Sequence, residues 1–275
     1  MEKLQKALEK ARANRVSHKA GPAANKTGAE PEQTPNEVSD LWADLTELKL
    51  DPKVLMQNRI VSGNGRADST HYDLLRTKLR EESRRRGFSK IAIVSAGPGA
   101  GKSTTVANLA FSFGRLPFMR TLVCDFDLRH PSLHRLLGQT PAADMGAVIN
   151  DDFAFKDHVL RHGNNLAFGM NRSSVANPSE LLQSDRTQDF LEAVQATYQP
   201  DLMLFDMPPF LLADDTHGFL RQVDAVVLVI EAEVTPRAQI DLVEQKLSEL
   251  TTVLGIVLNK CHFPDESDAA SYSYY

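Results

Sequence analysis

The sequence predicts an α/β fold, a mostly parallel sheet with helices on both faces, from three observations. From Phe88 onward five short runs, KIAIVSA, TLVCDFD, DLMLFDMP, DAVVLVIEA and VLGIVLNK, are apolar on consecutive residues. Strands of a parallel sheet, buried on both faces, have that pattern, whereas half-exposed strands alternate. Helical stretches at 101–114, 132–137, 178–198, 214–222 and 236–250 fall among these runs, and strand and helix in alternation build parallel crossovers. With 275 residues, 42% of them hydrophobic, the chain has material for one such domain plus an extension.

Taken in order, residues 1–15, MEKLQKALEKARANR, place Leu4, Ala7, Leu8 and Ala11 on a thin apolar stripe among charges. A solvated helix or one that docks on a partner fits that stripe better than a core helix. Residues 16–40 are Pro-, Gly-, Ala- and polar-rich and read as a flexible linker. A single domain is expected over 41–260, entered through LWADLTELKL to NRIVSG, where apolar residues return. STHYDLLRTKLREESRRRG reads as a helix with Ser69 or Thr70 as cap, Leu74, Leu75 and Leu79 on its buried face and Gly87 as its stop. Arg84, Arg85 and Arg86 then lie where the helix dipole favours cations. In NPSELLQSDRTQDFLEAVQATY the residues Leu181, Leu182, Phe190, Leu191 and Val194 supply a core face. Residues 261–275 form an acidic, serine-bearing tail with no apolar face, expected to be disordered, yet it holds Tyr272, Tyr274 and Tyr275, three of the five tyrosines.

Composition excludes several classes. A net charge of −5 argues against a nucleic-acid binder working by bulk electrostatics. Cys124 and Cys261 lie far apart with no metal-ligand spacing, and His130, His134 and His217 likewise show none. There is neither a signal peptide nor an apolar run of about 18 residues. The expectation is a cytoplasmic protein without direct membrane insertion, reaching a membrane only through a partner.

The most specific motif is SAGPGAGKSTT, which follows one strand and opens a helix. Gly97, Gly99 and Gly101 let backbone N–H groups turn toward phosphate oxygens where a Cβ would obstruct them. The nucleotide-binding set is then Gly97, Pro98, Gly99, Ala100, Gly101, Lys102, Ser103 and Thr104, with Lys102 bridging β- and γ-phosphate and Ser103 a ligand of Mg²⁺. The fold is therefore expected to be P-loop NTPase-like, with ATP and Mg²⁺ as its cofactors. Asp206 closes the apolar run LMLFD, as a Walker B aspartate must to reach the metal shell. Asp125 and Asp127, two residues apart, point to one face if their strand persists that far.

In order, these motifs are the P-loop, a hydrophobic-D-x-D-x-R box (Asp125, Asp127, Arg129), a hydrophobic-D-x-P-P box (Asp206, Pro208, Pro209) and a terminal tyrosine cluster. Over residues 55–275 the chain resembles the bacterial tyrosine kinases of capsule and exopolysaccharide synthesis. The resemblance implies that Asp125 and Asp127 supply metal contacts and the carboxylate facing the incoming tyrosine hydroxyl, that Asp206 and Asp127 join Ser103 at the metal, and that Asn259 hydrogen-bonds adenine. It also implies a homo-oligomer, a cognate phosphotyrosine phosphatase and a membrane-bound polysaccharide co-polymerase-type activator, since the chain resembles the split type. Departures stand beside it. Thr70 and Asp73 replace the Glu and first Arg of an E-x-x-R-x-x-R ring motif, of which only Arg76 matches, and position 100 is Ala.

The chemistry expected is transfer of a phosphoryl group from ATP to the chain's own Tyr272, Tyr274 and Tyr275, in trans. Lys102, Mg²⁺ and Arg129 would stabilise a loose transition state, while Asp125 orients the phenol and takes its proton late, because a hydroxyl of pKa about 10 does not yield it early to a carboxylate. Each phosphate adds about −1.5 to −2 charges, so a modified tail should leave an acidic site. The alternatives are a switch ATPase of the chromosome-partitioning or division-site type and a nucleotide-binding scaffold of polysaccharide export. The former carries a second lysine early in the P-loop, where this chain has Gly97.

Overall fold

The apolar runs form the strands. In this computed structural model, which describes residues 4–9, 35–64 and 69–261, they are β2 (Lys90–Ser95), β3 (Thr121–Asp125), β6 (Leu202–Asp206), β7 (Ala225–Glu231) and β8 (Thr252–Asn259). Three short strands join them: β1 (Thr46–Glu47), β4 (Leu160–His162) and β5 (Leu166–Gly169). Among the described residues they make one eight-stranded sheet in the order β1-β4-β5-β3-β6-β2-β7-β8. Strands β5, β3, β6, β2, β7 and β8 run parallel, β4 is antiparallel to β5, and β1 follows β4. The expected mostly parallel sheet is what forms.

Its two faces carry two apolar layers. Along β2, Ala92 and Val94 enter one layer while Ile91 and Ile93 enter the other, and β6 splits Met203 and Phe205 from Leu202 and Leu204 in the same way. One layer is closed by α4 (Thr70–Arg86) and α5 (Lys102–Gly114), with the small helices α3 (Pro52–Gln57) and α6 (Leu133–Leu136). The other is closed by α2 (Pro35–Ala43), α7 (Met145–Ile149), α8 (Phe155–His158), α9 (Pro178–Gln183), α10 (Asp185–Tyr198), α11 (Asp214–Phe219) and α12 (Arg237–Ser248). Burial on both faces is why the strand sequences show no alternation.

Local chemistry sets the ends of these elements. Helix α4 starts after Ser69 and stops at Gly87, whose left-handed φ of 72° lets its N–H donate to the Ser83 carbonyl. Asp224 accepts from the N–H groups of Ser89 and Lys90, both at 2.8 Å, so the loop before β7 anchors the start of β2. Asn108 of α5 accepts from the Ser62 N–H and donates to the Arg59 carbonyl, both at 3.0 Å, which ties the 55–64 segment to the helix behind the phosphate loop.

Several expectations are corrected. The stretch 178–198 is two helices, because Ser184 is extended (φ −74°, ψ 154°) and its hydroxyl accepts from the Thr187 N–H to cap α10. Residues 35–40, read as linker, open α2, whose Trp42 donates from Nε1 to the Tyr198 carbonyl at 2.7 Å. Of the N-terminal stripe, Leu8 is not left for solvent or a partner, Leu4 and Ala7 are partly buried beside it, and Ala11 lies outside the described residues. Residues 4–9 are helical (α1), and Leu8, 2% exposed, sits in the same core layer as Val38 and Trp42. Burying one leucine favours docking by about 1.5–3 kcal/mol, which a thin stripe of this kind does supply. Strands β1, β4 and β5 had no apolar run long enough to announce them. Residues 16–34 of the linker reading and 262–275 of the tail lie outside the described residues.

Candidate active site at the carboxyl edge of the sheet

The site is built where the three central strands end. β6 lies between β3 and β2, and Asp206 is in register with Asp125 on one side and Ile93 on the other. The phosphate loop leaves β2 at Ser95, whose hydroxyl donates to the Gly97 carbonyl at 2.7 Å. Gly99 (φ 82°) and Gly101 (φ 87°) take the left-handed backbone that turns the chain into α5. A Cβ at Gly97 or Gly99 would meet nothing within 4 Å, so the loop surrounds open space. At Gly101 a Cβ would collide with the Asn259 side chain. Gly101→Ala is accordingly expected to lose nucleotide affinity by about tenfold or more, since the left-handed conformation alone costs about 1–2 kcal/mol per non-glycine residue. Titration with a fluorescent ATP analogue measures it, and unaltered affinity would contradict the geometry.

Lys102 opens α5 and turns back into a nest of carboxylates. Its Nζ is 2.8 Å from Asp127 Oδ2, 3.5 Å from Asp206 Oδ1 and 3.4 Å from the Ser103 hydroxyl. Burial would depress the Lys102 pKa, but Asp206 and Asp127 outweigh it and hold it above its ordinary value. Asp206 is fully buried, and neither of its oxygens has a hydrogen bond of ordinary geometry among the described residues. Burial raises its pKa against the pull of Lys102 and Ser103. Asp125 is fully buried as well, and burial, then the neighbouring Asp206, lift it well above the carboxylate range. Its Oδ2 accepts from the Leu133 N–H at 3.3 Å, and its Oδ1 has no partner.

These orphaned oxygens are the test of whether a metal fits. A hard divalent cation takes carboxylate and hydroxyl oxygens, and buried carboxylates without partners are unstable unless a cation or proton joins them. Asp206, whose oxygens lack hydrogen bonds, fits Mg²⁺ on that ground; Asp127 and Ser103 offer oxygens of the right kind beside it, engaged here by Lys102 and, for Asp127, by the His130 N–H as well.

The cleft in front of them, about 470 Å³, is lined by the phosphate loop on one side and by Asp127, Arg129, Pro208 and Leu212 on the other. Asp127 lines it and Asp125 does not. The strand ends at Asp125, in register with Asp206, so that carboxyl stays within the sheet, while the chain has left the strand by Asp127. Arg129 reaches across to α11, its Nε and Nη2 donating to Asp215 at 2.8 and 2.9 Å. Asn259 ends β8 and donates from Nδ2 to the Ala100 carbonyl at 2.8 Å, so the last strand closes on the phosphate loop.

Sequence reasoning missed two supporting groups. Asn171, wholly buried, donates to the Asp125 carbonyl at 2.6 Å and accepts from the Met145 N–H at 2.7 Å, which holds the end of β3. Asp215 is the other; a helix-opening DD pair reads in sequence only as a favourable first turn. The histidines take modest places: His217 stacks on Phe210 with 4.1 Å between ring centres, and His130 donates its backbone N–H to Asp127 at 3.1 Å. Asp73, in the departed ring motif, accepts from Arg76 at 3.4 Å and also binds Arg115 and Ser112 of its own chain.

A glycine cradle on a helix N-terminus, with a buried lysine and three aspartates at adjoining strand ends, defines a P-loop protein built to handle nucleotide phosphates. No family model matches the chain. Among individual proteins, it is 29% identical over 210 residues to the tyrosine-protein kinase YwqD of Bacillus subtilis (strain 168), covering 76% of this chain and 86% of that one. It is 30% identical over 177 residues to the tyrosine-protein kinase CpsD of Streptococcus pneumoniae serotype 4, covering 62% and 75%. The crystal structure of the chimerical protein CapA2B2 superposes with a TM-score of 0.68 at 22% identity, over 83% of this chain and 99% of that one, a likeness of fold. The chain belongs to the bacterial tyrosine-protein kinases, and its activity class is protein-tyrosine kinase.

Proposed function

We propose that this kinase transfers the γ-phosphoryl group of Mg-ATP to Tyr272, Tyr274 and Tyr275 of a neighbouring copy, and that the modification controls capsule or exopolysaccharide synthesis. The observation that carries it is the bond from Asn259 to Ala100. Because β8 is parallel to β7 and ends against the phosphate loop, the chain departs from the edge where the phosphates lie. The 14 residues beyond Cys261 can extend to about 50 Å at most, enough to enter a second molecule's cleft.

Lys102 holds the β- and γ-phosphates and Gly97 to Thr104 wrap them, with Asn259 beside the loop at the place where adenine binding is expected. Mg²⁺ held by Ser103, Asp127 and Asp206 would neutralise charge on the phosphates. Asp127, facing the cleft, orients the phenol. Asp127 also takes the phenol's proton late, the role expected of Asp125, because Asp125 is fully buried and does not line the cleft. Arg129 balances charge on the transferring group. Triply phosphorylated, a tail carries about −4.5 to −6 charges and is repelled by Asp127 in the cleft and the exposed Asp214 at its rim, which favours release of the neighbour until a phosphatase resets it.

No helix among the described residues is long and apolar enough to cross a membrane. Recruitment to the inner membrane face by a co-polymerase-type activator supplies the link to polysaccharide export. The test replaces Tyr272, Tyr274 and Tyr275 by Phe and follows phosphotyrosine and ADP with Mg-ATP and the activator's cytoplasmic segment present. Loss of at least nine-tenths of the label with ADP release retained is expected. Undiminished label would place the acceptors elsewhere, and ADP without label in the wild type would indicate a switch ATPase.

A further inference from the structure

Arg129 is held more firmly than its position at the rim of a cleft requires. Its side chain is 42% exposed, while the Asp215 side chain that takes its Nε (2.8 Å) and Nη2 (2.9 Å) is 1% exposed. This is a two-pronged pairing in which a rigid fork meets a carboxylate edge to edge. The Ser179 hydroxyl of α9 accepts from the same Nη2 at 3.1 Å, donates to Asp214 at 2.7 Å and also touches Asp215 Oδ1. Three segments thus converge on one guanidinium: the loop after β3, the start of α9 and the first turn of α11. Among the described residues Nη1 makes no hydrogen bond, and Arg129 lines the phosphate cleft with Lys102 and Asp127.

An arginine that served only to pair with the exposed Asp214 at the surface would need neither a buried carboxylate nor a second acceptor. A buried carboxylate is costly unless paired, so the fold places Asp215 where it does only in company with Arg129. We infer that Asp215, assisted by Ser179, is a positioning residue for phosphoryl transfer: it fixes Nε and Nη2 of Arg129 and leaves Nη1 as the edge offered to the transferring phosphoryl group. The inference rests on the kinase reading above. It adds that the arginine's orientation is set from the helix that follows the Asp206 loop, so the two ends of residues 206–215 bear on the same phosphate.

The experiment compares wild type, Arg129→Ala, Asp215→Asn, Ser179→Ala and the Arg129→Ala/Asp215→Asn double variant. It measures kcat for tail labelling, kcat for ADP release, nucleotide Kd and, by NMR, hydrogen exchange of the Arg129 Nε–H. Asp215→Asn keeps the shape and one acceptor but loses the charge. It is expected to lower kcat about 10- to 100-fold, as misorientation of a positioned group does, with nucleotide Kd within about twofold to threefold. Ser179→Ala should lower kcat about threefold to tenfold, the loss of one ordinary hydrogen bond. The double variant should be no worse than Arg129→Ala, because residues acting as a unit are not additive. Multiplying effects, or Asp215→Asn within twofold of wild type while Arg129→Ala falls, would overturn the inference, as would an Arg129→Ala variant of full activity. The Nε–H should exchange slowly in wild type and at least tenfold faster in Asp215→Asn; fast exchange in wild type removes the anchor whatever the activity. A wild type that releases ADP without labelling tyrosine defeats the kinase reading alone, and the positioning role is then judged on ADP release and exchange.

Discussion

Lys102→Met is expected to abolish tyrosine labelling, with a loss of about 10³-fold or more. The ammonium is the only cation within hydrogen-bonding or ion-pair distance of both Asp127 and Asp206 among the described residues, and it faces the cleft that the phosphate loop encloses. A charged donor aimed into a water-poor site contributes more to a transition state than to a ground state, and losing one such donor costs about 10²–10³ in kcat even where the donor is neutral. Methionine fills the space of the lysine stem without its charge. Asp206, fully buried, then has no cation beside it among the described residues, so the variant should also lose stability, by about 1–3 kcal/mol, less than for a fully buried pair because the Asp206 carboxyl, its pKa raised by burial, can take up a proton. Labelling with Mg-ATP and a thermal melt measure the two effects. Retention of a tenth of the labelling would show that Lys102 does not hold the phosphates.

Asp206→Asn should do the opposite to stability and the same to activity. The wild-type carboxylate is fully buried without a hydrogen bond of ordinary geometry, and its folded-state pKa is raised, first by burial. A carboxyl with a raised folded pKa binds more protons folded than unfolded, so the protein loses stability as pH climbs from the unfolded carboxylate value through the folded one. The amide escapes that loss but still lacks partners, so the gain at pH 7, without nucleotide or metal, is partial. About 1 kcal/mol, or roughly 2–4 °C in Tm, is expected for a chain of this size. The advantage should shrink toward pH 4 as the wild-type carboxyl becomes protonated, and Mg²⁺ should stabilise the wild type more than the variant. Labelling should fall at least about 10²-fold, the usual opposition between a strained site and a stable one. A variant less stable than wild type at pH 7 would mean that Lys102 stabilises the buried charge more than burial destabilises it.

Much of this arrangement is legible in the chain because it depends on local chemistry. The central strands are unbroken apolar runs, and the phosphate loop needs its glycines at fixed places, since Gly99 and Gly101 occupy backbone that a side chain resists. The stop of α4 at Gly87 is written the same way. The short strands β1, β4 and β5 are not legible, because two to four residues carry too little pattern and their pairing is decided by partners far away in sequence. The break at Ser184 hides within a helical periodicity that continues on both sides, and only the hydroxyl cap reveals it.

The order of motifs and the residue types at the site were determined by sequence alone: a glycine cradle, Lys102, three aspartates at strand ends, and phenols gathered at the terminus. Tertiary structure decided which carboxylate faces the cleft, since the register of β3 against β6 keeps Asp125 within the sheet and lets Asp127 emerge. It also decided that α1 packs on its own domain through Leu8, that Arg129 is gripped by Asp215, 86 residues away, and that β8 ends against the phosphate loop. Periodicity and spacing report a residue's relation to its neighbours in the chain, whereas burial, charge pairing and approach between strand ends arise only when distant segments exclude water together.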